Sequence, residues 1–450
     1  MKFDTPSKEH IFGGVFLLNV KKGEWRMESR YNFWSSTEQG QTLLFNGRTG
    51  AMLCFPDAVE EDRIRQTLRG DSDYQQSLLK RMGFLWDGTA QSEAEAVLAR
   101  RNEMFQRDEP AELMISPTYG CNFRCTYCYV CFDNYKMNAE AEERVLKYCR
   151  GFIDKFPKVN ITWFGGEPLL VWEQVARISR QLAVYATESK RSLNLLITTN
   201  GYLLNEKVMR TLYNAGVRYI HVTIDGCDQG QDTRRVMQDG SATYQKVLHN
   251  FIDAMQTYPD LNGTLRMNLE PDSISLAHEL LQKIPKSLRG RIAVHPTPVI
   301  WDGVIRDNQF FCNVADVVSH ALDEGYAYYD NDIPIGRRRH CNAECADYFQ
   351  IGPKGELHKC SPSNKPEVTV GHINENGEPV YHENKIAWEN ASKPDKQCLN
   401  CKFLCFCQGG CRLDRVRGEH DPRCRENYIA ITQHIANYYK AHMRNRNNER

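Results

Sequence analysis

Apolar and polar positions alternate in a regular order between residues 112 and 300. Short runs rich in β-branched and aromatic residues predict six strands, at 113–120, 159–166, 193–201, 217–226, 265–270 and 291–300. Longer amphipathic runs between them predict helices near 137–156, 170–189, 204–215, 241–258 and 273–286. Strands and helices in this alternation indicate an α/β fold with a parallel sheet. Six units favour a partial (β/α)6 TIM-like barrel over a closed eight-fold one, with the active site at the carboxyl ends of the strands.

The segments that flank this barrel have different patterns. Residues 1–90 predict a small α+β unit, with strands in GGVFLLNV, EWRMESRYNFW and TLLFNGRTGAMLCF and helices in AVEEDRIRQTLRG and DYQQSLLKRMGFLWDG, the second ending near Gly83. Residues 91–111 predict a helical linker, and the barrel then spans 112–310. Residues 335–430 are rich in Cys, Gly, Asn and Pro, so we expect metal clusters to hold them together. Residues 431–450 are the C-terminal helix and tail, with an amphipathic pattern at 426–443 and a frayed, solvated end in HMRNRNNER.

Composition and charge indicate in which compartment the protein works and which kinds of partner it binds. The 450 residues include 57 Lys plus Arg and 57 Asp plus Glu, and this zero net charge indicates binding to neither nucleic acid nor membrane. The chain has no signal-peptide pattern and no long apolar run, so we expect a cytoplasmic protein. Because the cytosol keeps thiols reduced, 17 cysteines indicate metal or redox chemistry instead of disulfides.

The first cluster of cysteines lies in GCNFRCTYCYV, directly after the first barrel strand. Cys121, Cys125 and Cys128 have the spacing C-x3-C-x2-C, which is one ligand short of a closed four-ligand site. Three thiolates suit a four-iron cluster with one iron left open to a small molecule. The alternative is a zinc site with a distant fourth ligand.

The order of the motifs resembles that of the radical S-adenosylmethionine (SAM) superfamily. Its C-x3-C-x-aromatic-C loop is matched with Tyr127 at the aromatic position, and a GGEP element ends the second strand at 165–168. TTNG at 198–201 and TIDG at 223–226 end the third and fourth strands. The resemblance implies that SAM is the missing ligand of a [4Fe-4S] cluster held by the catalytic cysteines, and that SAM is reductively cleaved to a 5′-deoxyadenosyl radical. It implies SAM contacts from Tyr127, Gly165, Gly166, Glu167, Thr199, Asn200, Thr223 and Asp225. Arg266 and Asn268 are two residues apart on the fifth strand, so their side chains are on the same face. We predict them as further SAM contacts.

The second group of cysteines resembles the SPASM domain, an auxiliary-cluster module of peptide-modifying radical SAM enzymes. The pattern is Cys345-x9-Gly355-x4-Cys360, followed by C-x2-C-x5-C-x3-C and a closing cysteine. The resemblance implies one auxiliary [4Fe-4S] cluster on Cys341, Cys345, Cys360 and Cys411, and a second on Cys398, Cys401, Cys407 and Cys424, which gives three clusters in all. A pair of zinc sites is the alternative. Cys131 lies close to the first group without a role, and Cys405 lies outside the pattern as a spare thiol.

The resemblance also limits the classes of substrate that we expect. Sulfatase maturases of this family have an Asp after the cysteine of the G-x4-C element, and Ser361 takes that position here. The N-terminal unit resembles the leader-binding unit of ribosomal-peptide maturases, with a shielding extension as the alternative. We therefore predict a maturase that cross-links or excises residues of a precursor peptide. We expect a flavodoxin- or ferredoxin-type reductant and, as an option, a separate leader-binding protein. The alternatives are a side-chain oxidase of sulfatase-maturase type, a small-molecule dehydrogenase, and a non-catalytic iron–sulfur or zinc scaffold.

Overall fold

The computed structural model describes residues 26–104, 110–130, 133–299, 308–328, 341–361, 366–418 and 430–448. The predicted strand in GGVFLLNV, Cys131 and Cys424 lie outside these residues. Among the described helices, none is long and apolar enough to cross a membrane.

The described part of the N-terminal unit, from residue 26 onward, contains two small sheets and three helices. One sheet pairs β1 with β5 antiparallel, and the other has the antiparallel order β2-β3-β4. The elements are β1 (Arg26–Glu28), β2 (Asn32–Ser36), β3 (Thr42–Asn46), β4 (Met52–Cys54), α1 (Ala58–Arg69), α2 (Gln76–Met82), β5 (Leu85–Asp87) and α3 (Ala90–Met104).

Local chemistry sets the ends of the two short helices in this unit. Asp57 accepts a hydrogen bond from the Glu60 N–H and so caps the first turn of α1. Gly70 and Gly83 have φ values of 89°, the left-handed conformation that ends α1 and α2. The predicted helix end near Gly83 is therefore confirmed.

The barrel is an open parallel sheet of six strands in the order β11-β10-β9-β8-β7-β6. The strands are β6 (Ala111–Ile115), β7 (Lys158–Trp163), β8 (Ser192–Thr199), β9 (Val217–Thr223), β10 (Asn262–Leu269) and β11 (Ile292–Pro298). The helices are α4 (Ala139–Lys155), α5 (Trp172–Glu188), α6 (Glu206–Asn214), α7 (Gln229–Asp232), α8 (Tyr244–Thr257), α9 (Ile274–Lys283) and α10 (Lys286–Arg289). Apolar side chains from both layers form one continuous core, which stabilises the sheet from its helical side. All six predicted strands are present.

The sheet does not end at β6. The short strand β12 pairs parallel with β6, and three antiparallel strands extend the sheet to ten strands. The added elements are β12 (Phe349–Ile351), β13 (Glu356–His358), β14 (Thr369–Ile373) and β15 (Pro379–Tyr381). Strands of three residues carry too little alternation to be seen in a sequence, so this joint between the barrel and the cysteine-rich segment was not predicted.

Five further helices complete the described chain: α11 (Asn308–Asp323), α12 (Asn384–Asn390), α13 (Leu404–Cys407), α14 (Arg412–Arg417) and α15 (Ile431–Asn448). The expectation of a frayed tail was wrong for its described part, because α15 continues to Asn448. Arg444 donates hydrogen bonds to the carbonyl oxygens of Leu322, Gly325 and Tyr326, at 3.0, 2.7 and 2.8 Å. A cation on the last carbonyls of α11 is favoured by the helix dipole, so the basic residue holds the helix in place.

The N-terminal unit packs against the loop that carries Cys398, Cys401 and Cys407. The Phe33 ring lies 5.9 Å from Phe403 and 5.0 Å from Phe406 between ring centroids. Gly47 abuts the thiol of Cys405, and a Cβ at Gly47 would lie 2.4 Å from that sulfur. Cys405 is buried in this apolar interface, as expected of a spare thiol that acts as a small hydrophobic side chain.

We expect Gly47→Ala to loosen this interface. The added methyl group overlaps Cys405 and overpacks the contact, which costs about 1–3 kcal/mol of stability. Gly151→Ala is the matched control, because a Cβ at Gly151 in α4 would meet no atom within 4 Å. The control should raise stability by about 0.5–1 kcal/mol through better helix propensity. Thermal unfolding of both variants checks the opposite signs, and equal effects would contradict the packing argument.

Candidate active site

The first cysteine group lies on a loop that follows β6 and is held by main-chain hydrogen bonds to its neighbours. Glu167 N–H donates to the Gly120 carbonyl oxygen at 2.8 Å, and Gly166 N–H donates to that of Thr118 at 3.1 Å. On the other side, Arg124 N–H and Thr126 N–H donate to the carbonyl oxygens at 236 and 234. The loop is therefore fixed between the ends of β7 and the segment after β9.

The three thiols Cys121, Cys125 and Cys128 lie close enough to affect one another electrostatically. Burial, the Glu167 carboxylate and the other two thiols together raise the pKa of Cys121 to about 12. Burial also raises the pKa of Cys125, against the lowering effect of the Arg235 guanidinium. A metal must therefore displace protons from these thiols when it binds.

Gly166 allows the second strand to approach the cysteine loop. A Cβ at Gly166 would lie 2.2 Å from the Gly120 carbonyl oxygen and 2.5 Å from that of Tyr119, so no other residue fits. Gly165 has a φ of 123°, which excludes most side chains as well. These two glycines bring the backbone of the GGEP element against the loop that carries the cysteines.

Glu167 is fully buried and its carboxylate accepts three hydrogen bonds. The donors are Thr199 Oγ1 at 2.6 Å, Asn200 N–H at 2.7 Å and Leu169 N–H at 2.9 Å. Burial raises the pKa of Glu167, and these donors lower it. Because a carboxylate has about four acceptor positions, one remains for an ammonium group. Glu167 thus joins the ends of β7 and β8.

Asn200 combines a turn role with a contact to the cysteine loop. Its Oδ1 accepts from Tyr202 N–H at 3.0 Å, as in an Asx turn, and its Nδ2 donates to Asn122 Oδ1 at 2.9 Å. This geometry is that of a turn residue, and the predicted contact of Asn200 with SAM stays a prediction.

Tyr127 reaches into a buried polar network. Its hydroxyl donates to the Asp225 carboxylate, and it accepts from Arg235 Nη1 at 2.8 Å and Asn268 Nδ2 at 3.0 Å. Asp225 also accepts from Asn268 N–H at 2.8 Å. Burial raises the pKa of Tyr127 and of Asp225, and the Arg235 guanidinium opposes both shifts. The structure therefore brings the predicted residues Tyr127, Asp225 and Asn268 together.

Arg235 is a site residue that sequence reasoning missed. Its guanidinium lies 5.7 Å from the centroid of the Phe123 ring, beside Cys125, and its buried Nε has no hydrogen-bond partner. The neighbouring Arg234 instead pairs with Glu270 and Asp272, at 2.5 Å each. The only sequence signal was the pair RR just after TIDG, and the sequence does not say which of the two faces the barrel.

Arg266 lies on β10 beside this network, in the row of side chains that crosses the strands near their carboxyl ends. Its Nε donates to Asn268 Oδ1 at 3.3 Å, and its Nη1 lies 3.4 Å from His295 Nδ1 on the neighbouring strand. Thr223 is buried in the same row, opposite Arg266 in the strand register. The interior of the barrel is therefore polar at its carboxyl end, as a chamber for a polar ligand requires.

The second cysteine field lies beyond β12. Cys341 interacts electrostatically with Cys345 and Cys411, and Cys360 interacts with Cys341 and Cys411, so Cys341 lies near the other three. Burial raises the pKa of Cys341 to about 11 and that of Cys360 to about 12. Cys398, Cys401 and Cys407 lie together on the loop against the N-terminal unit, and their predicted fourth member, Cys424, lies outside the described residues.

Within the described ranges, no three His, Cys, Asp or Glu side chains converge as ligands of one metal ion. The thiols of Cys121, Cys125 and Cys128 are chemically suited to a four-iron cluster. Each thiolate of a four-iron cluster binds a different iron, so the thiolates need not meet at a single point. The unpartnered Nε of Arg235 and the free acceptor position of Glu167 lie beside the first cysteine group, as an amino acid carboxylate and ammonium would require.

Residues 115–272 match a family model described as the Radical SAM superfamily. The chain carries a radical SAM domain. The radical SAM superfamily implies a [4Fe-4S] cluster and SAM as cofactors. It is 24% identical over 326 residues to the serine-type anaerobic sulfatase-maturating enzyme of Klebsiella aerogenes, covering 67% of this chain and 80% of the relative.

Two solved structures share the fold of this radical SAM enzyme. Native anSMEcpe with bound AdoMet and Cp18Cys peptide has a TM-score of 0.56 at 18% identity, covering 75% of this chain and 98% of that one. Streptococcus suis SuiB bound to precursor peptide SuiA has a TM-score of 0.50 at 14% identity, covering 86% and 95%. These likenesses confirm the partial barrel predicted from the sequence.

We expect Arg235→Lys to weaken SAM binding by about tenfold or more while the iron content stays unchanged. A lysine keeps the charge but loses the planar fork and the free Nε that suit a carboxylate. The check is a SAM titration followed by the change in the EPR spectrum of the reduced cluster. Arg218→Lys, on the exposed side of β9, is the control and should bind SAM as the wild type does. Equal SAM affinity in both variants would contradict this assignment.

Proposed function

We propose that this radical SAM enzyme is a maturase that abstracts hydrogen from a residue of a ribosomally made precursor peptide. The product is a cross-link (thioether, carbon–carbon or carbon–oxygen) or a backbone excision. The observation that supports the proposal is that β6, which leads into the three-cysteine loop, pairs in one sheet with β12, which lies between Cys345 and Cys360. A scaffold protein has no need for a buried arginine with a free Nε beside a metal-binding loop.

The residues of the barrel have separate tasks in this proposal. Cys121, Cys125 and Cys128 hold the cluster, and together with SAM it supplies a radical that can take hydrogen from an unactivated carbon. Glu167 and the glycine backbone before it accept from the ammonium of SAM. Arg235 pairs with the SAM carboxylate.

The remaining predicted SAM contacts orient the nucleoside and keep water out. Tyr127 and Asp225 close the end of the chamber through their mutual hydrogen bond. Thr223, Arg266 and Asn268 line the row where the ribose and the target residue meet. A closed polar chamber protects a reactive radical from side reactions.

We also propose two auxiliary [4Fe-4S] clusters. Cys341, Cys345, Cys360 and Cys411 hold the first, and Cys398, Cys401, Cys407 and Cys424 the second. The electrostatic interactions that join Cys341 to Cys345, Cys360 and Cys411 support the first set. Since four protein thiolates occupy all the iron sites of each cluster, its role is electron transfer and not direct substrate binding. An external flavodoxin- or ferredoxin-type reductant supplies the electrons.

The cluster assignment is tested by replacing Cys121, Cys125 and Cys128 together with alanine. We expect this variant to keep about eight irons per chain, because two clusters of four remain. It should form no 5′-deoxyadenosine from SAM under reducing conditions, whereas the reconstituted wild type should form it. A wild-type protein with full iron that does not cleave SAM would overturn the enzymatic proposal.

The N-terminal unit supports a peptide substrate. Its sheet has a meander of three strands followed by helices, and among the described residues no strand pairs with the outer edge of β4. The hydrogen bonds between β3 and β4 join Thr42 to Phe55 and Asn46 to Ala51. In an antiparallel pair the hydrogen-bonded residues alternate, so the N–H and C=O groups of Met52 and Cys54 point away from β3. We propose that a leader peptide adds to this edge as a further strand.

Met52→Pro tests this binding mode. Proline removes an N–H that points outward and is tolerated at an edge strand, so the sheet should persist while strand addition fails. We expect the affinity for a fluorescent precursor peptide to fall about tenfold or more, measured by anisotropy. Met52→Ala keeps the N–H and is the control. Unchanged affinity in the proline variant would mean that the unit only shields the barrel.

A side-chain oxidase of sulfatase-maturase type is the second candidate, and the 24% identity to a sulfatase-maturating enzyme favours it. Ser361 counts against it, because a hydroxyl replaces the carboxylate base that the branch has at this position. Coexpression with a short peptide encoded beside the gene, followed by mass spectrometry, separates the two. Loss of two hydrogens without reaction toward a hydrazide indicates a cross-link, hydrazide labelling indicates an aldehyde, and a larger loss indicates excision.

A further inference from the structure

Lys359 lies next to Cys360 and, among the described residues, forms no ion pair with a carboxylate. It is 4% exposed, and its Nζ donates to the carbonyl oxygens of Cys345, Ala346 and Tyr348 at 2.6, 2.9 and 3.0 Å. These three hydrogen bonds match the three hydrogens of an ammonium, although burial lowers the pKa of Lys359 to about 7. A buried charge is costly unless a counter-charge lies nearby.

Arg412 is a second buried cation that faces the same cysteines. Its guanidinium donates to the carbonyl oxygens of Trp388 at 2.8 Å and of Ala343 at 3.2 Å, and to the Glu344 carboxylate at 3.3 Å. The charge of Arg412 acts on Cys341 and Cys345, and it acts on Lys359 as a like charge. Two like charges are therefore held together in the interior, beside the four cysteines proposed for the first auxiliary cluster.

The carboxylates near this pair of cations are each shared with another cation. Glu344 is shared between Arg412 and Arg415, whose Nη2 lies 2.5 Å from it. Asp347 lies near Lys359 and forms its ion pair with Lys155 at 2.6 Å. The exposed Glu389 acts on both cations and forms its ion pair with Lys385 at 2.5 Å. Four thiolates around a four-iron core would add a net negative site beside the two cations.

We propose that Lys359 and Arg412 raise the reduction potential of the cluster on Cys341, Cys345, Cys360 and Cys411 and make it the acceptor of the substrate's electron. This inference rests on the proposed function, because it requires that cluster to be present. Buried positive charge stabilises the reduced state more than the oxidised state, since reduction adds one negative charge. Neither cation binds iron, and both act through the cluster.

The electron count of the step is balanced. The substrate loses one hydrogen atom to the 5′-deoxyadenosyl radical, which becomes 5′-deoxyadenosine. The substrate radical then loses one proton to solvent or a base and one electron to the first auxiliary cluster, which is reduced by one electron. The electron leaves through an external carrier of the ferredoxin or flavodoxin class, and the substrate has lost two hydrogens in total.

Removal of the Lys359 charge tests the inference. In the reconstituted full-length enzyme, Lys359→Gln keeps donors for the carbonyl oxygens but has no charge, and Lys359→Arg keeps the charge. The variants are poised at the midpoint potential of this cluster in the wild type, and the ratio of reduced to oxidised cluster is measured by EPR. We expect this ratio in the glutamine variant to be about a tenth of the wild-type ratio. The arginine variant should restore the ratio. The SAM-binding cluster should not change in any variant.

Lys354→Gln, on the exposed turn between β12 and β13, is the matched control and should leave all midpoints unchanged. An unchanged midpoint in Lys359→Gln at full iron content would overturn the inference and leave the proposed function intact. Loss of this cluster in Lys359→Gln, with or without its loss in Lys359→Arg, would overturn the inference, because Lys359 would then hold the cluster in place and would not set its potential. A wild-type enzyme that lacks this cluster, or forms no 5′-deoxyadenosine, would refute the proposed function itself.

Discussion

The close approach of Gly166 to the carbonyl oxygen of Gly120 is the constraint on which the site depends. With no Cβ at that point, the end of β7 lies against the loop that carries Cys121, Cys125 and Cys128. The next residue, Glu167, then lies between β7 and β8 and accepts hydrogen bonds from Thr199 and Asn200. Three strand ends are therefore joined by one glycine contact and one buried carboxylate, and a larger residue at Gly166 would separate them.

The same sheet links the two chemical halves of the enzyme. Because β12 pairs with β6, the strand that leads into the first cysteine loop is also the neighbour of the strand that follows Cys345. Gln350 on β12 donates to Ser116 Oγ at 3.0 Å at the end of β6, which adds a buried side-chain link. The cysteine-rich segment is thus an extension of the barrel sheet, and backbone hydrogen bonds hold it beside the strand that leads into the first cysteine group more firmly than a flexible linker would.

The barrel was predictable because its elements are long and periodic. Strands such as 192–199 and helices such as 172–188 carry enough alternation to be read from one sequence. The cysteine groups were predictable because their spacing is local. Arg235, the strand joint at β12 and the buried Lys359 were not, because each depends on a neighbour distant in the chain. The tail was misjudged for the same reason, since the partners of Arg444 lie more than a hundred residues earlier.

By itself, the sequence determined the parallel α/β order, the position of the motifs at strand ends, and the number of thiols available in each group, because these follow from short-range periodicity and spacing. Only the tertiary structure decided which arginine of the pair at 234–235 enters the site, which donors occupy Glu167, and which cations lie beside the auxiliary cysteines. Those outcomes depend on side chains that meet across strands and in burial, where a charge or a donor is stable only if the fold provides its partner.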